Sequence, residues 1–323
     1  MNTLSEETNI KPVLKWAGGK RELIPKIRNY YKKLNPQKYI EPFFGGGAVY
    51  FDILKTINLS LKKTSIINDI NSDLIDMYRN IKTKPDEIIY FCKELEKIYY
   101  KYDYYYIREH FNGFDKNKKP IKRYEGVMRS SSLILLNRTC YNGLYRVNSK
   151  GLFNVPKGSY KNPKIIDEEN LYKLSSLLPN VKNILNTEFD KISGINSGDL
   201  VHFDPPYHPL SETSSFTSYS GVFGEKEQIR LRNYFRNLSN RGVHVILSNS
   251  CSNFIKEIYD EFKIIEVDSS RNINSKSKNR GKIQEYLVLG DTINWYIINT
   301  WIYNYLLIWL SKSFTLFSKS ETL

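Results

Sequence analysis

Tyr39-Ile40-Glu41-Pro42-Phe43-Phe44-Gly45-Gly46-Gly47-Ala48 is a short β-prone run that stops at a proline, passes three glycines and opens into a helix-forming stretch. Strand, glycine turn and helix in that order form the first half of a βαβ unit, and glycine lets the backbone approach a ligand closely. Ala48-Val49-Tyr50 follows directly, so the three-glycine spacing of a dinucleotide motif is missing and a nucleoside fits better than a pyrophosphate. The next strand, Ser65-Ile66-Ile67-Asn68, delivers Asp69 at 22 residues past Gly47 (69 − 47). An acid at that spacing can accept hydrogen bonds from two ribose hydroxyls. The alternative for Asp69 is a cap on the helix that carries Leu74 to Ile81.

Further along, the apolar run Leu200-Val201-His202-Phe203 ends abruptly in Asp204-Pro205-Pro206-Tyr207. This reads as a buried strand delivering an acid to the mouth of an α/β sheet, where open sheets bind their ligands. An exocyclic amine on a nucleobase is a poor nucleophile, because its lone pair is delocalised into the ring. The Asp204 carboxylate and the Pro205 carbonyl are two acceptors that could hold its two hydrogens and favour the pyramidal form. Tyr207 could lie on the face of a base turned out of its helix. The prolines fix φ and remove competing donors. The plainer alternative is a strand-end turn with Asp204 capping a helix.

The chain has 323 residues and a net charge of +14, enough for one large domain with a smaller one inserted or appended. The charge is concentrated: residues 116–164 hold twelve Lys or Arg against one acid, Glu125. Tyr124, Tyr141, Tyr145, Phe153 and Tyr160 are interleaved with them, the mixture a polyanion-binding module uses for phosphates and stacking. General abundance of Lys and Tyr in this chain is the alternative. Cys92, Cys140 and Cys251 are too few for a disulfide framework or a zinc site, and the four histidines share no metal-ligand spacing. The N-terminus carries no secretory signal, so the chain reads as cytoplasmic, with no membrane role and no metal.

Apolar periodicity makes 71–112 helical, and the tyrosine run at 99–106 reads as packing surface. Residues 225–238 form an amphipathic helix and 243–247 a buried strand. A helix at 254–259 and extended segments at 262–267 and 285–289 follow, the last antiparallel if it pairs with its predecessor. The loop 271–282 holds five cations and no acid, a second candidate phosphate contact. Residues 295–310 are apolar and aromatic but short for a membrane span.

Together, residues 15–20 (KWAGGK), 41–47 (EPFFGGG), Asn68-Asp69 and 204–207 (DPPY), in this order with a long insert before the last, resemble the Dam family of DNA adenine methyltransferases. Residues 137–146 (NRTCYNGLYR) and 151–161 (GLFNVPKGSYK) are similar too, and the resemblance spans about 13–290. It implies a Rossmann-like α/β methyltransferase sheet from 1–70 and 190–291. An inserted helical and β-hairpin DNA-recognition domain would occupy 71–189, leaving a tail at 292–323. It implies methyl transfer from S-adenosylmethionine to the N6 amine of adenine in double-stranded DNA, within GATC, by base flipping. Trp16 and Lys20 would line the methionine end of the cofactor and Asp69 its ribose, with Glu41, Phe43, Gly45 and Ile70 completing the pocket. Asp204 would bridge cofactor and adenine, with Pro205, Pro206 and Tyr207 in the catalytic turn.

The same resemblance assigns Lys15, Arg138, Asn148 and a β-hairpin over about 139–160 to DNA. Tyr141 and Asn142 would wedge into the stack, and Leu144, Arg146, Pro156 and Tyr160 would read bases. The chemistry of Arg146 agrees, since a guanidinium fork matches guanine's two major-groove acceptors and is worth about 1–3 kcal/mol of discrimination. Tyr145 stands where the family commonly has cysteine and Val147 where it has an aromatic, which leaves flanking contacts open. A catalytically inactive DNA-binding relative and a cytosine-N4 methyltransferase remain alternatives. The intact Asp204, Tyr207, Lys20 and Asp69 argue against the first, and Asp in place of the commoner Ser at 204 argues against the second. Oligomeric state and biological setting stay open.

Overall fold

The computed structural model describes residues 10–16, 23–56, 64–210, 223–270 and 282–293. Seven strands form one sheet: β1 Tyr39–Glu41, β2 Ile66–Asn68, β3 Ile184–Leu185, β4 Leu200–Phe203, β5 His244–Ser250, β6 Lys263–Ser270 and β7 Lys282–Leu289. Their order is β3-β2-β1-β4-β5-β7-β6, the first five parallel, with β7 antiparallel to both of its neighbours. This is the mixed, mostly parallel α/β sheet expected. The order reverses between β1 and β4, so the glycine turn after β1 and the acidic turn after β4 open side by side at a topological switch point.

The strands are apolar on both sides because both faces are covered. Leu200 and Ile246 pack with α1 (Leu23–Leu34), α2 (Ala48–Thr56) and α3 (Ser72–Thr83), whereas Val201, Phe203, Val245 and Leu247 pack against α8 (Glu225–Asn240) and α9 (Asn253–Ile258). Two further helices, α4 (Pro85–Tyr102) and α5 (Tyr104–Asn112), complete the stretch expected to be helical. The breaks have local causes. Lys84 precedes a proline at the first helical position of α4, and Asp103 takes φ 82°, outside any helix.

Three elements were not anticipated. The helix α6 (Gly126–Thr139) runs through the basic segment and is buried all round, from Ser130–Ser132 through Leu133–Leu136 to Asn137, with α3, α4 and α5 against it. Its buried polar side chains are satisfied: Ser131 Oγ donates to Ile88 O (3.3 Å) and Thr139 Oγ1 to Leu135 O (2.7 Å). The strand β3 lies inside the expected insert yet pairs with β2, so residues 184–185 belong to the sheet. The helix α7 (Glu168–Leu177) precedes it.

The tyrosine run is divided. Tyr99 and Tyr104 are buried packing residues as expected, whereas Tyr100, Tyr102, Tyr105 and Tyr106 are exposed. No helix among the described residues is long and apolar enough to cross a membrane. Lys20, the loop 271–281 and the segment 295–310 lie outside the described residues.

Candidate active site

At the carboxyl end of β1 the glycines admit the chain's own Trp16. A Cβ on Gly45 would stand 2.8 Å from Trp16 Nε1 and one on Gly46 2.9 Å from Trp16 Cβ, while Gly45 and Gly47 adopt φ +50° and +69°. The glycine run was expected to give close access to a ligand; in the fold the closest neighbour of Gly45 is this indole, and that of Gly47 is the Phe44 ring. Asp69, at the end of β2, accepts from Gly45 N (2.9 Å) and Asn71 N (3.0 Å). It is no helix cap: Asn71 caps α3, accepting from Leu74 N at 3.2 Å. Burial pushes the Asp69 carboxyl up, and the backbone bonds from Asn71, Gly45 and Ile70 oppose it. Three backbone donors leave the carboxylate, with its roughly four acceptor sites, capacity for a ligand hydroxyl. Ile70 is 63% exposed beside it, an apolar surface next to two acceptors.

Glu41, 2% exposed, accepts from Tyr39 Oη at 3.0 Å. Burial holds its carboxyl well above the usual range, with the Tyr39 bond opposing and the nearby Asp204 charge adding to the rise. Phe43 points into the other layer, 5.4 Å from Phe189 and 5.5 Å from Phe223 between ring centroids. Phe189 was missed because it lies beyond β3, itself too short to be read.

The turn after β4 is rigidly buttressed. Pro205 is buried and Asp204 half-buried. Gln228 Nε2 donates to Pro206 O (2.9 Å), and Asn249 Nδ2 holds Gln228 Oε1 (3.0 Å). His208 N donates to Asn249 Oδ1 (3.1 Å), and Ser250 Oγ to His208 O (2.6 Å). Tyr207 Oη donates to Glu285 Oε2 at 2.7 Å. Burial, then the charges of Asp204 and Glu285, hold the Tyr207 hydroxyl protonated, far above its ordinary value. The neighbouring helices begin without Asp204: α8 starts at Gly224 with no side-chain cap, and Ser252 caps α9. Gln228, Asn249, Ser250 and Glu285 escaped the sequence reading. The signal was there for Glu285, an acid ahead of the apolar run Tyr286-Leu287-Val288-Leu289.

A third group gathers around Lys15. Asn137, buried on α6, accepts from Lys15 N (2.8 Å) and donates to Lys15 O (2.8 Å) and Gly143 O (2.9 Å). A Cβ on Gly143 would collide with the Lys15 side chain. Lys15 Nζ lies 4.1 Å from the Tyr160 ring centroid.

The segment 139–158 folds back on itself as expected, through Tyr141 N to Pro156 O (2.9 Å), Asn154 N to Arg146 O (3.0 Å) and Gly158 N to Thr139 O (2.8 Å). It is no continuous β-hairpin. Only the isolated bridges Cys140–Lys157 and Val147–Phe153 form, because Tyr141–Gly143 makes a 3-10 turn and Pro156 has no N–H to donate. Tyr141, Asn142, Arg146 and Pro156 are exposed along it, Leu144 is half-buried, and Asn148 Oδ1 closes the tip by accepting from Lys150 N and Leu152 N (both 3.0 Å).

Two assignments change. Arg138 was placed on DNA, but its guanidinium is turned inward, donating to Val13 O (2.8 Å) and Pro12 O (3.3 Å), so it anchors the irregular segment that carries Lys15. The density of cations also overstated the exposed charge. Arg129 pairs with Asp73 (2.6 Å), and Lys157 and Lys164 pair with Asp103 and Asp167. Arg146 remains outward, with Nε donating to Asn154 Oδ1 at 2.8 Å. Burial pushes the Cys140 thiol up to about 11, consistent with a packing residue. No cluster of three metal-ligating side chains occurs among the described residues.

Three groups therefore meet at one end of the sheet: a corner formed by the glycine turn and Asp69, a braced acidic turn and an outward basic segment. The model of the D12 class N6 adenine-specific DNA methyltransferases matches residues 16–273. The type II methyltransferase M.MjaIII of Methanocaldococcus jannaschii is 44% identical over 87% of this chain and 99% of its own length. M1.LlaDCHI, a type II methyltransferase of Lactococcus lactis subsp. cremoris, is 41% identical over 89% and 98%. The DNA adenine methylase of Escherichia coli is 34% identical over 85% and 94%. With the fold, the two acidic strand ends and this likeness along most of its length, the chain belongs to the D12 class of N6 adenine-specific DNA methyltransferases.

Proposed function

We propose that the chain transfers a methyl group from S-adenosylmethionine to the N6 amine of adenine within GATC of double-stranded DNA. The observation that carries this reading is the adjacency of β2, β1 and β4, which brings Asp69, the Gly45 turn and Asp204 to one crevice. Asp69 and the exposed Ile70 fit a nucleoside: acceptors for ribose hydroxyls beside an apolar surface for its base. Trp16 and Glu41 would border that pocket, with Lys20 toward its methionine end. When bound, S-adenosylmethionine supplies an electrophilic sulfonium methyl.

The protein's own contribution is orientation and acceptors. Asp204 and the Pro205 carbonyl each take one hydrogen of the adenine amine, which localises the nitrogen lone pair. Gln228 takes the Pro206 carbonyl and thereby fixes the turn. Tyr207, held through Glu285, presents a ring to the flipped base. Asp204 orients the amine and, as methyl transfer makes the nitrogen acidic, offers a basin for the proton. Turning the base out costs a few kcal/mol. Binding along 139–161 offsets it, with Tyr141 and Asn142 occupying the vacated stack and Lys15 meeting phosphate beside Tyr160. Arg146, steadied by Asn154, reads guanine, while Leu144, Pro156 and Tyr160 contribute to base reading. Residues 71–183 and the sheet then divide the work between reading and transfer, in the cytoplasm where the DNA is.

A plasmid carrying the gene, grown in a host without its own adenine methylation, tests the target. It is expected to resist a nuclease blocked by methylated GATC and to be cut by one that requires it. The reverse pattern would exclude GATC.

A further inference from the structure

Tyr145 sits one residue before Arg146 and faces the other way, packed inward while Arg146 is exposed. Its ring stacks on Trp16, with centroids 5.5 Å apart and planes at 26°, and it meets Phe153 at 5.7 Å. Trp16 in turn rests on the glycine turn, so closely that neither Gly45 nor Gly46 could carry a Cβ. The hydroxyl of Tyr145 is hydrogen-bonded by the Asn71 side chain. The Asn71 N–H orients Asp69 at 3.0 Å. One side chain in the base-reading segment therefore touches both halves of the nucleoside corner: the turn through Trp16 and the acid through Asn71. A cysteine, the residue this position commonly holds in the resembling family, is too short to reach Asn71 and has no face for the indole.

We propose that Tyr145 is a positioning residue that makes cofactor binding and recognition of the target sequence reinforce each other. The inference rests on the function proposed above. A ligand that fixes the glycine turn and Asp69 fixes Trp16 and Asn71, which removes freedom from Tyr145 and so from Arg146 beside it. The second ligand then meets a segment already ordered, and the coupling is reciprocal by linkage.

The test measures binding of S-adenosylhomocysteine, which occupies the pocket without turnover, to the full chain. It is titrated alone, with a GATC duplex, and with a duplex whose site is scrambled. In the wild type the GATC duplex is expected to tighten binding by about 10-fold and the scrambled duplex by far less, within the roughly 5–150-fold range of allosteric couplings. Tyr145→Cys is expected to bring the GATC ratio to within about 2-fold of one. Tyr145→Phe keeps the stack, loses the Asn71 bond, and is expected to lower the ratio by roughly 2- to 3-fold. The Phe variant carries the test should the Cys variant fail to fold.

If Tyr145 served packing alone, all three affinities would fall by a common factor and the ratio would stay at its wild-type value, overturning the inference. A wild-type ratio of one, with both ligands bound, overturns it too while leaving the functional reading intact. Failure of the wild type to bind S-adenosylhomocysteine at all would strike the functional reading and the inference together.

Discussion

Asp204→Ala is expected to slow methyl transfer by roughly 10³-fold or more, while binding of the GATC duplex changes by less than about 3-fold. The split follows from position. Asp204 lies at the mouth of β4, whereas the cations proposed to meet DNA phosphate, which dominate affinity, are Lys15 and those of 139–161. Removing the carboxylate takes away an acceptor that counts only when the amine is being reshaped, so the loss falls on kcat. Asp204→Asn keeps an acceptor oxygen and nearly the same volume but loses the charge, and it should retain part of the rate. Single-turnover transfer and duplex binding at one fixed salt concentration separate the two effects. Normal turnover by Asp204→Ala would remove this residue from the mechanism.

Arg146→Ala is expected to reduce discrimination between GATC and a duplex altered at the guanine by about 10- to 100-fold, corresponding to about 1–3 kcal/mol. The wild-type guanidinium is exposed, yet Asn154 anchors its Nε at 2.8 Å, so the fork proposed to read guanine has little orientational freedom left to lose. Arg146→Lys should recover charge but not discrimination, because an ammonium cannot span the two guanine acceptors. Ratios of kcat/KM on the two duplexes measure this directly. An equal fall on both would make Arg146 a phosphate contact.

The parts of this fold that sequence disclosed are those whose local chemistry decides their position. A buried parallel strand must be apolar and must end in a turn, which made β1, β2 and β4 readable and placed Asp69 and Asp204 at their ends. The last strands were legible for the same reason, including the antiparallel β7. The helix α6 was not, because a helix buried on every side has no stripe of period 3.6 to detect, and its serines, asparagine and arginines read as loop or interface. The supports of the acidic turn were equally hidden. Gln228, Asn249 and Glu285 are distant in sequence from Asp204, and only the packing of α8, β5 and β7 brings them to it. Charge counting singled out a segment but could not tell Arg138, bound to the Val13 and Pro12 carbonyls, from Arg146, which faces outward. Asn137 illustrates the same limit: quoted within a motif, it is the clamp that joins Lys15 to Gly143.

The most direct measurement is transfer of a labelled methyl group from S-adenosylmethionine to duplexes with and without GATC, followed by digestion to nucleosides and separation. Label is expected in N6-methyl-2′-deoxyadenosine only, from the GATC duplex, with the scrambled duplex at least about 10²-fold slower. Label in N4-methyl-2′-deoxycytidine, equal labelling of both duplexes, or no transfer by a protein that still binds DNA would contradict adenine methylation at GATC.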